Sequence, residues 1–312
     1  MNAIKKAGII GCSDGLSPEK KSQVEQLQSV LEGLGLKTAR AAYTFEEERT
    51  YPGNGKLRAA ELMKFYEDPE ITDIFDVSGG NQGNEVLADL DYEKIRKSPA
   101  VFWGYSDLTT VVNAIYAKTG KTSMLYQARF LVGDKGELQQ KRFHNYLQFK
   151  GDLQQKYLQS YRKSPSGHET ISHNEDLDFI KKDLTNLKVT RVQGGPMEGI
   201  LVGGNIRCFL KLAGTEYFPD LTDKILLLEA WSGQLPQILT YLNQYKQLGA
   251  FSKVKGILLG TFTEYEKNQL KPDVVELVKD LAGPDLPIYT TREVGHGHDA
   301  KAAVIGGFYR FG

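Results

Sequence analysis

Residues 100–120 read AVFWGYSDLTTVVNAIYAKTG, and this stretch decides how the chain is expected to fold. The apolar run at its start suits a buried strand, and the residues that follow, Gly104–Asp107, form a turn. Apolar side chains then recur at positions 108, 111, 112, 115 and 116, the spacing of one helix face. Gly120 comes next, where glycine commonly ends a helix. The stretch therefore predicts a strand, a tight turn and a helix in direct succession.

Strands and helices alternate on both sides of this stretch as well. Further apolar runs predict strands at residues 7–10, 74–77, 199–202, 225–229 and 254–259. Ser17-Pro18 predicts the start of a helix, and the apolar spacing after positions 235 and 274 predicts two more. This alternation is typical of mostly parallel sheets covered by helices, so we predict an α/β fold.

The length of 312 residues suits two domains. Residues 134 to about 190 are rich in Gln, Lys, Asp and His and poor in strand-like sequence, so we interpret them as a partly helical connection. We place the N-terminal domain at residues 1–165 and the C-terminal domain at residues 166–312.

The charge balance excludes a strong overall attraction to nucleic acid or anionic membranes, because Lys plus Arg and Asp plus Glu both number 39. Two cysteines, Cys12 and Cys208, fit neither a Cys-x-x-Cys metal motif nor a disulfide-built secreted domain. The apolar run behind Lys6 is too short for a signal peptide, and no apolar stretch approaches the length of a membrane span. We therefore expect a cytoplasmic protein that binds neither nucleic acid nor membrane.

The serine of the turn, Ser106, has two interpretations. A serine between a strand and a helix exposes its hydroxyl beside free backbone N–H groups, which can stabilise the negative oxygen of a tetrahedral intermediate. The match to the Gly-x-Ser-x-Gly nucleophile turn is partial, because residue 108 is leucine. Alternatively, Ser106 or Asp107 merely caps the helix. The turn alone leaves both interpretations open.

The Gly79-Gly80 loop and Glu229 have residue types that a nucleophilic serine needs nearby. The loop follows the strand before Ser106, so both lie at one edge of a parallel sheet, where glycine N–H groups can approach a carbonyl. Glu229 ends an aliphatic strand and can orient a histidine. The alternatives are a plain turn for the glycines and an ion pair with Lys224 for Glu229.

The glycine loop at 295–299 offers the histidines that a serine needs as a base. His296 and His298 lie in it, and Asp299 follows as an acid that rivals Glu229. The same residues permit a metal site, but a third firm ligand is not evident in the sequence. We therefore rank the base above the metal ligand and predict no metal.

Together these segments resemble the serine LD-carboxypeptidase family, which includes muramoyl-tetrapeptide carboxypeptidases and microcin C immunity peptidases. The resemblance spans nearly the whole chain, and its specificity comes from the order of its parts. They are Gly79-Gly80 with Asn84 and Leu87, residues 104–109 and 115–120, Gly203-Gly204-Asn205, Gly214-Thr215, Ile225–Glu229 and Gly295-His296.

The resemblance implies a catalytic triad of Ser106, Glu229 and His296, with an oxyanion hole formed by the backbone N–H groups of Gly80 and Asp107. It implies an N-terminal, mostly parallel sheet flanked by helices and a smaller C-terminal α/β domain, with the active site between them. Family members use no metal or organic cofactor and often dimerise, so we expect a homodimer without cofactors. The residues expected to contact substrate are Gly79, Asn84, Asn205 and Trp231.

Departures from the family pattern leave the substrate open. Tyr126–Arg129 replaces a usual Gly-Pro pair, and Ser78 and Asn81 replace the Arg and Tyr typical of cell-wall carboxypeptidases. Trp231, where an acidic residue is more usual, either stacks on an aromatic or nucleotide group or packs between the domains. Arg129 and Arg207 are candidates for contacting a substrate carboxylate.

The leading prediction is a serine carboxypeptidase that hydrolyses a peptide-like amide next to a free carboxylate, such as the terminal D-residue of a muropeptide. The first alternative is a microcin-immunity peptidase that cleaves aminoacyl- or peptidyl-nucleotide conjugates. A non-catalytic module that binds a small ligand is the second. A nucleotide-binding enzyme that uses Gly8, Gly11 and Gly15 is the third.

Overall fold

The computed structural model describes residues 5–45, 54–147 and 183–312. Its strands are β1 (Lys6–Ile10), β2 (Lys37–Arg40), β3 (Ile71–Asp76), β4 (Val101–Gly104), β5 (Ser123–Leu125), β6 (Thr190–Gln193), β7 (Met197–Asn205), β8 (Lys224–Ala230), β9 (Gly256–Phe262), β10 (Ile288–Thr290), β11 (Ala303–Ile305) and β12 (Phe308–Phe311). The α-helices are Lys21–Gly33, Gly55–Glu67, Tyr92–Lys97, Thr109–Thr119, 136–147, Ile206–Leu210, Leu235–Gln247, Ala250–Lys253, Thr263–Lys267 and Val274–Ala282. Short 3-10 turns lie at Pro18–Lys20, Gly83–Asp89, Ser106–Leu108 and Ala128–Val132.

The first sheet confirms the predicted, mostly parallel N-terminal sheet. Its strand order is β11-β5-β4-β3-β1-β2, and β5, β4, β3, β1 and β2 run parallel. The edge strand β11 comes from the end of the chain and pairs antiparallel with β5. The carboxyl ends of β3 and β4 therefore lie side by side, and they carry the Gly79-Gly80 loop and Ser106.

The second sheet has the order β12-β7-β8-β9-β10-β6. Its central strands β7, β8, β9 and β10 run parallel, whereas β12 and β6 pair antiparallel at the two edges. Glu229 lies at the end of β8. The chain leaves this sheet after β10 and returns to the first sheet at β11, and His296 lies in that crossing segment. The two sheets are thereby joined at the carboxyl ends of their parallel strands.

Local signals account for several helix boundaries. The side chain of Asn54 accepts a hydrogen bond from the N–H of Leu57 at 3.2 Å and so caps helix Gly55–Glu67. Gly120 ends helix Thr109–Thr119 in the left-handed region, with φ of 73°, as predicted. Ser17 lies at the N-cap and Pro18 at the start of the 3-10 turn Pro18–Lys20, as predicted, although the Ser17 side chain makes no capping hydrogen bond.

Other sequence-based expectations have mixed outcomes. Residues 136–147, at the start of the predicted connection, form a helix, whereas the rest of the connection up to residue 182 and the predicted domain boundary at 165/166 lie outside the described residues and stay predictions. Gly8 lies in β1, where an added Cβ would come within 2.5 Å of the Phe65 ring, so close packing of helix Gly55–Glu67 already explains this glycine. No helix in the described part of the chain is long and apolar enough to cross a membrane.

Candidate active site

Ser106 lies on a strained turn directly after β4. Its φ is +56°, in the left-handed region that a residue with a side chain seldom adopts. Neither the 3-10 turn Ser106–Leu108 nor helix Thr109–Thr119 has a side-chain cap. The interpretation of Ser106 or Asp107 as a helix cap is therefore wrong, and the strained serine between strand and helix has the geometry of a nucleophile turn.

Glu229 holds His296 through a buried hydrogen bond. The carboxylate of Glu229 is fully buried, and its Oε2 lies 2.9 Å from Nδ1 of His296. A carboxylate only accepts hydrogen bonds, so Nδ1 carries the proton and Nε2 is left as an acceptor. The Lys224 ammonium contacts the carbonyl of Thr222 instead of Glu229, so the alternative ion pair is absent from the described contacts.

The loop before His296 packs tightly against β9. Gly295 has φ of +151°, and an added Cβ would lie 1.7 Å from Oγ1 of Thr261. Only glycine lets the backbone come so close to this strand. The approach brings His296, whose side chain is 15% exposed, over the end of β8.

Tyr105 connects the serine turn to the histidine and the glutamate, a role that its position in the turn alone does not reveal. Its hydroxyl donates to Oε2 of Glu229 at 3.2 Å, and its ring centroid lies 4.7 Å from that of His296. Burial, and then the charge of Glu229, raise the pKa of the Tyr105 phenol well above its usual range. The phenol therefore stays a hydrogen-bond donor at neutral pH. Ser106 directly follows a residue that touches both other predicted triad members.

The remaining polar residues of the 295–299 loop point to other partners. Nδ1 of His298 lies 3.3 Å from Oδ2 of Asp134, and both side chains are exposed. Asp299 is exposed, and its carbonyl accepts a hydrogen bond from Arg142 at 2.8 Å. His296 and His298 thus have separate carboxylate partners. In the described ranges, no cluster of three or more His, Cys, Asp or Glu side chains has the arrangement of a metal site.

The Gly79-Gly80 loop wraps around the carboxylate of Asp14. Oδ1 of Asp14 accepts the N–H groups of Asn81 at 2.9 Å and of Gln82 at 3.0 Å. Gly80 has φ of +121°, and an added Cβ would lie 2.2 Å from Cγ of Asp14. This backbone conformation requires glycine at position 80.

Asp107, which we expected to act through its backbone, also fixes the loop with its side chain. The carboxylate is fully buried, and Oδ2 accepts hydrogen bonds from the Ser13 hydroxyl and the Gly83 N–H, both at 2.6 Å. The Lys211 ammonium forms an ion pair with Oδ1. A buried carboxylate with these partners is strongly held in place. The Asp107 side chain therefore links the serine turn to the glycine loop, and these two segments carry the two predicted donors of the oxyanion hole.

The residues expected to contact substrate have different surroundings. Trp231 is 55% exposed, and its ring centroid lies 5.3 Å from that of His296. Asn84 is exposed on the Gly83–Asp89 turn, and Gly79 is half-buried, with its carbonyl accepting the N–H of Asp14. Asn205 is 7% exposed, and its side-chain oxygen caps helix Ile206–Leu210 by accepting the N–H of Cys208.

Comparisons with known proteins agree with this architecture. Residues 7–126 match the LD-carboxypeptidase N-terminal domain, and residues 198–311 match the LD-carboxypeptidase C-terminal domain. The putative carboxypeptidase YocD of Bacillus subtilis is 31% identical over 306 residues, which cover 95% of this chain and 88% of that protein. A probable murein peptide carboxypeptidase of Bacillus subtilis is 26% identical and covers 97% of this chain and 88% of its own.

A third similar protein is the microcin C7 self-immunity protein MccF of Escherichia coli, 26% identical over 88% of this chain and 81% of that protein. A solved structure of MccF in complex with aspartyl sulfamoyl adenosine matches with a TM-score of 0.75 at 21% identity, covering 99% of this chain and 93% of that one. That structural likeness supports the two-domain α/β fold. The domain matches and the identity to YocD show that the chain belongs to the LD-carboxypeptidase family and is a carboxypeptidase-type hydrolase.

Proposed function

We propose that the chain is a serine peptidase in which Ser106, His296 and Glu229 form the catalytic triad. The observation that supports this most strongly is the 2.9 Å contact between the buried Glu229 carboxylate and Nδ1 of His296, beside the strained Ser106 turn. Ser106 attacks the amide carbonyl while Nε2 of His296 takes its proton. His296 then returns the proton to the leaving amine, and water hydrolyses the acyl-enzyme by the same route. Glu229 keeps the imidazole in the required tautomer and stabilises its charged form.

The oxyanion hole in this proposal consists of the backbone N–H groups of Gly80 and Asp107. Asp107 lies in the first turn after the serine, where N–H groups have no acceptor within the helix. The side-chain hydrogen bonds of Asp107 to Ser13 and Gly83 keep the glycine loop against this turn. Donors fixed in advance stabilise the developing negative charge without reorganising.

The oxyanion hole gives a testable prediction at the two loop glycines. Gly80→Ala is expected to lower kcat by about 10²- to 10³-fold, because the new Cβ would overlap Asp14 and force the Gly80 N–H out of position. Gly79→Ala is the matched variant, since an added Cβ at that position meets no atom within 4 Å. Steady-state kinetics of both variants should show a loss at least ten times smaller for Gly79→Ala. Equal losses would contradict the proposed oxyanion role of Gly80.

For the substrate, we propose an amide next to a free carboxylate, as in the terminal D-residue of a muropeptide. The carboxypeptidase relatives support this class. A peptidase for aminoacyl-nucleotide conjugates is the second candidate, and it is favoured by Trp231. Its exposed ring lies beside His296, where it can stack on a base, and the relative MccF has been solved with aspartyl sulfamoyl adenosine.

Two substrates assayed in parallel test this proposal. We expect the purified protein to release the terminal residue of a muramoyl tetrapeptide or to cleave aspartyl sulfamoyl adenosine, and mass spectrometry of the products identifies the bond broken. A neutral fluorophosphonate should label the protein once, and peptide mapping should place the label on Ser106. A folded sample that neither cleaves a substrate nor takes the label would indicate a non-catalytic binding module.

A further inference from the structure

Arg129 lies at the edge of the sheet that carries Ser106. It belongs to the Ala128–Val132 turn, which begins directly after β5. The N–H of Tyr126 donates to the carbonyl of Gly104 at 3.0 Å and so extends the pairing of β5 with β4. Gln127 accepts the N–H of Arg129 and donates its own amide to the carbonyl of Ser78 at 3.4 Å. Gln127 therefore reaches across the end of β4 to the residue before the glycine loop.

The guanidinium of Arg129 is half-buried and lacks an ion-pair partner among the described residues. Its Nε is buried without a hydrogen-bond partner. Arg58, which is fully buried, also has an unpartnered Nε, but its guanidinium pairs with Glu85 and donates to backbone carbonyls. Buried charges in proteins are normally paired, so an unpaired guanidinium at a sheet edge needs an explanation.

Among the described residues, the carboxylate of Asp76, at the end of β3, is the charge that acts on Arg129. Burial lowers the pKa of Arg129 and the Asp76 charge raises it, and the group remains cationic at neutral pH. The Asp76 oxygens are taken by the N–H groups of Cys12 and Ser78 and by the Ser78 hydroxyl. Since β4 separates β5 from β3, this charge interaction spans the carboxyl end of β4, where the Ser106 turn begins.

Neighbouring aromatic contacts place the Arg129 segment beside the proposed triad. The ring centroid of Phe130 lies 6.2 Å from that of Tyr105, which itself contacts His296 and Glu229. The other arginine considered for a substrate contact, Arg207, is engaged by the glycine loop. Its guanidinium donates to the side chain of Asn81 at 2.6 Å and to the carbonyl of Gly80 at 3.1 Å, so it supports the glycine loop.

We propose that Arg129 binds a carboxylate of the substrate and thereby selects acidic substrates over their uncharged counterparts. This inference rests on the proposed peptidase function and names the group that the site recognises. A guanidinium and a carboxylate form paired, charge-assisted hydrogen bonds, and the half-buried position strengthens them. The carboxylate is either the free terminus of a peptide or the acidic side chain of an aminoacyl conjugate.

Two matched pairs of ligands test the assignment and distinguish these sources. One pair is the muramoyl tetrapeptide and its C-terminal amide, and the other is aspartyl and asparaginyl sulfamoyl adenosine. Calorimetric titration into Ser106→Ala and Ser106→Ala/Arg129→Gln measures binding without turnover. We expect Arg129→Gln to weaken binding of the acidic member of one pair by about 10- to 100-fold, and to leave its uncharged partner unchanged. Arg129→Lys, which keeps the charge but not the paired donors, should give an intermediate loss.

Two further measurements separate a loss of carboxylate binding from damage to the fold or to the proposed triad. Since Arg129 has no ion-pair partner to lose among the described residues, Arg129→Gln should unfold in urea at the same or a higher concentration than the parent protein. Fluorophosphonate labelling of Ser106 needs no carboxylate, so it should proceed at the same rate in Arg129→Gln. Equal weakening of acidic and uncharged ligands, or no weakening in either pair, would overturn the role of Arg129. Undiminished labelling would then show that the proposed triad still stands.

Discussion

Ser106→Ala and His296→Ala are each expected to lower kcat by about 10⁴- to 10⁶-fold, with KM changed by less than about tenfold. Alanine at 106 removes the proposed nucleophile, and alanine at 296 removes the base proposed to activate it. Because the two residues act as one unit in the proposed mechanism, the double variant should be no slower than the slower single variant. Steady-state kinetics with the cleaved substrate of the parallel assay measure all three.

Matched controls separate this loss from damage to the fold. Ser123→Ala removes a buried hydroxyl of β5 that has no hydrogen-bond partner in the part of the chain that the structure describes, and His298→Ala removes the exposed neighbour of His296. Both are expected to keep kcat within about threefold of the parent, because neither side chain takes part in the proposed chemistry. If Ser106→Ala retained more than a tenth of the parent activity, the proposed mechanism would be wrong.

The strand–turn–helix unit around Ser106 was predictable because its signals are local. The apolar spacing after the turn and Gly120 at its end define helix Thr109–Thr119 without help from distant residues. The residue types of the proposed triad and their order along the chain were likewise visible. Their meeting depends on the chain crossing from the second sheet to β11 in the first, a connection that apolar periodicity does not encode.

The contacts that connect the site were not predictable, because they join residues far apart in the sequence. Tyr105 contacts Glu229 across 124 positions, and the turn alone shows only an aromatic residue beside a serine. The carboxylate of Asp107 joins Ser13 and Lys211, although its sequence position suggested a backbone role. The positive φ of Ser106 was also hidden, since such a backbone conformation is held by the surrounding structure and not by the local sequence.

The choice between Arg129 and Arg207 illustrates the same limit. Both are isolated basic residues in the sequence, and each is chemically able to bind a carboxylate. The difference lies in what the fold brings to them. Arg207 meets the carbonyl of Gly80 and the side chain of Asn81, whereas Arg129 is half-buried with its Nε unpartnered. Unused hydrogen-bonding capacity is a tertiary property, so only the structure separates the two.

Glu229→Gln is expected to lower kcat by about 10³- to 10⁴-fold while leaving KM nearly unchanged. The substitution keeps the shape of the side chain and removes its charge, so the imidazolium formed in the proposed mechanism loses its counter-charge. A glutamine can also turn its NH₂ towards Nδ1 of His296. That orientation favours the tautomer with the proton on Nε2, which cannot accept the proton of Ser106.

Tyr105 makes this prediction sharper, because its hydroxyl donates to the same Oε2 that His296 contacts. In Glu229→Gln the Tyr105 hydroxyl still donates to the position of Oε2, so it favours the orientation of the glutamine that places the amide oxygen there. An oxygen at that position accepts the proton on Nδ1 of His296 and so opposes the inactive tautomer. We therefore expect Tyr105→Phe to cost less than about tenfold in kcat in the parent protein and clearly more in the Glu229→Gln background.

The exposed pair of Glu198 with Arg310 supplies a control, and Glu198→Gln should leave kcat unchanged. Additive effects of Tyr105→Phe and Glu229→Gln would show that the phenol does not orient residue 229, and parent-like turnover by Glu229→Gln would remove Glu229 from the triad.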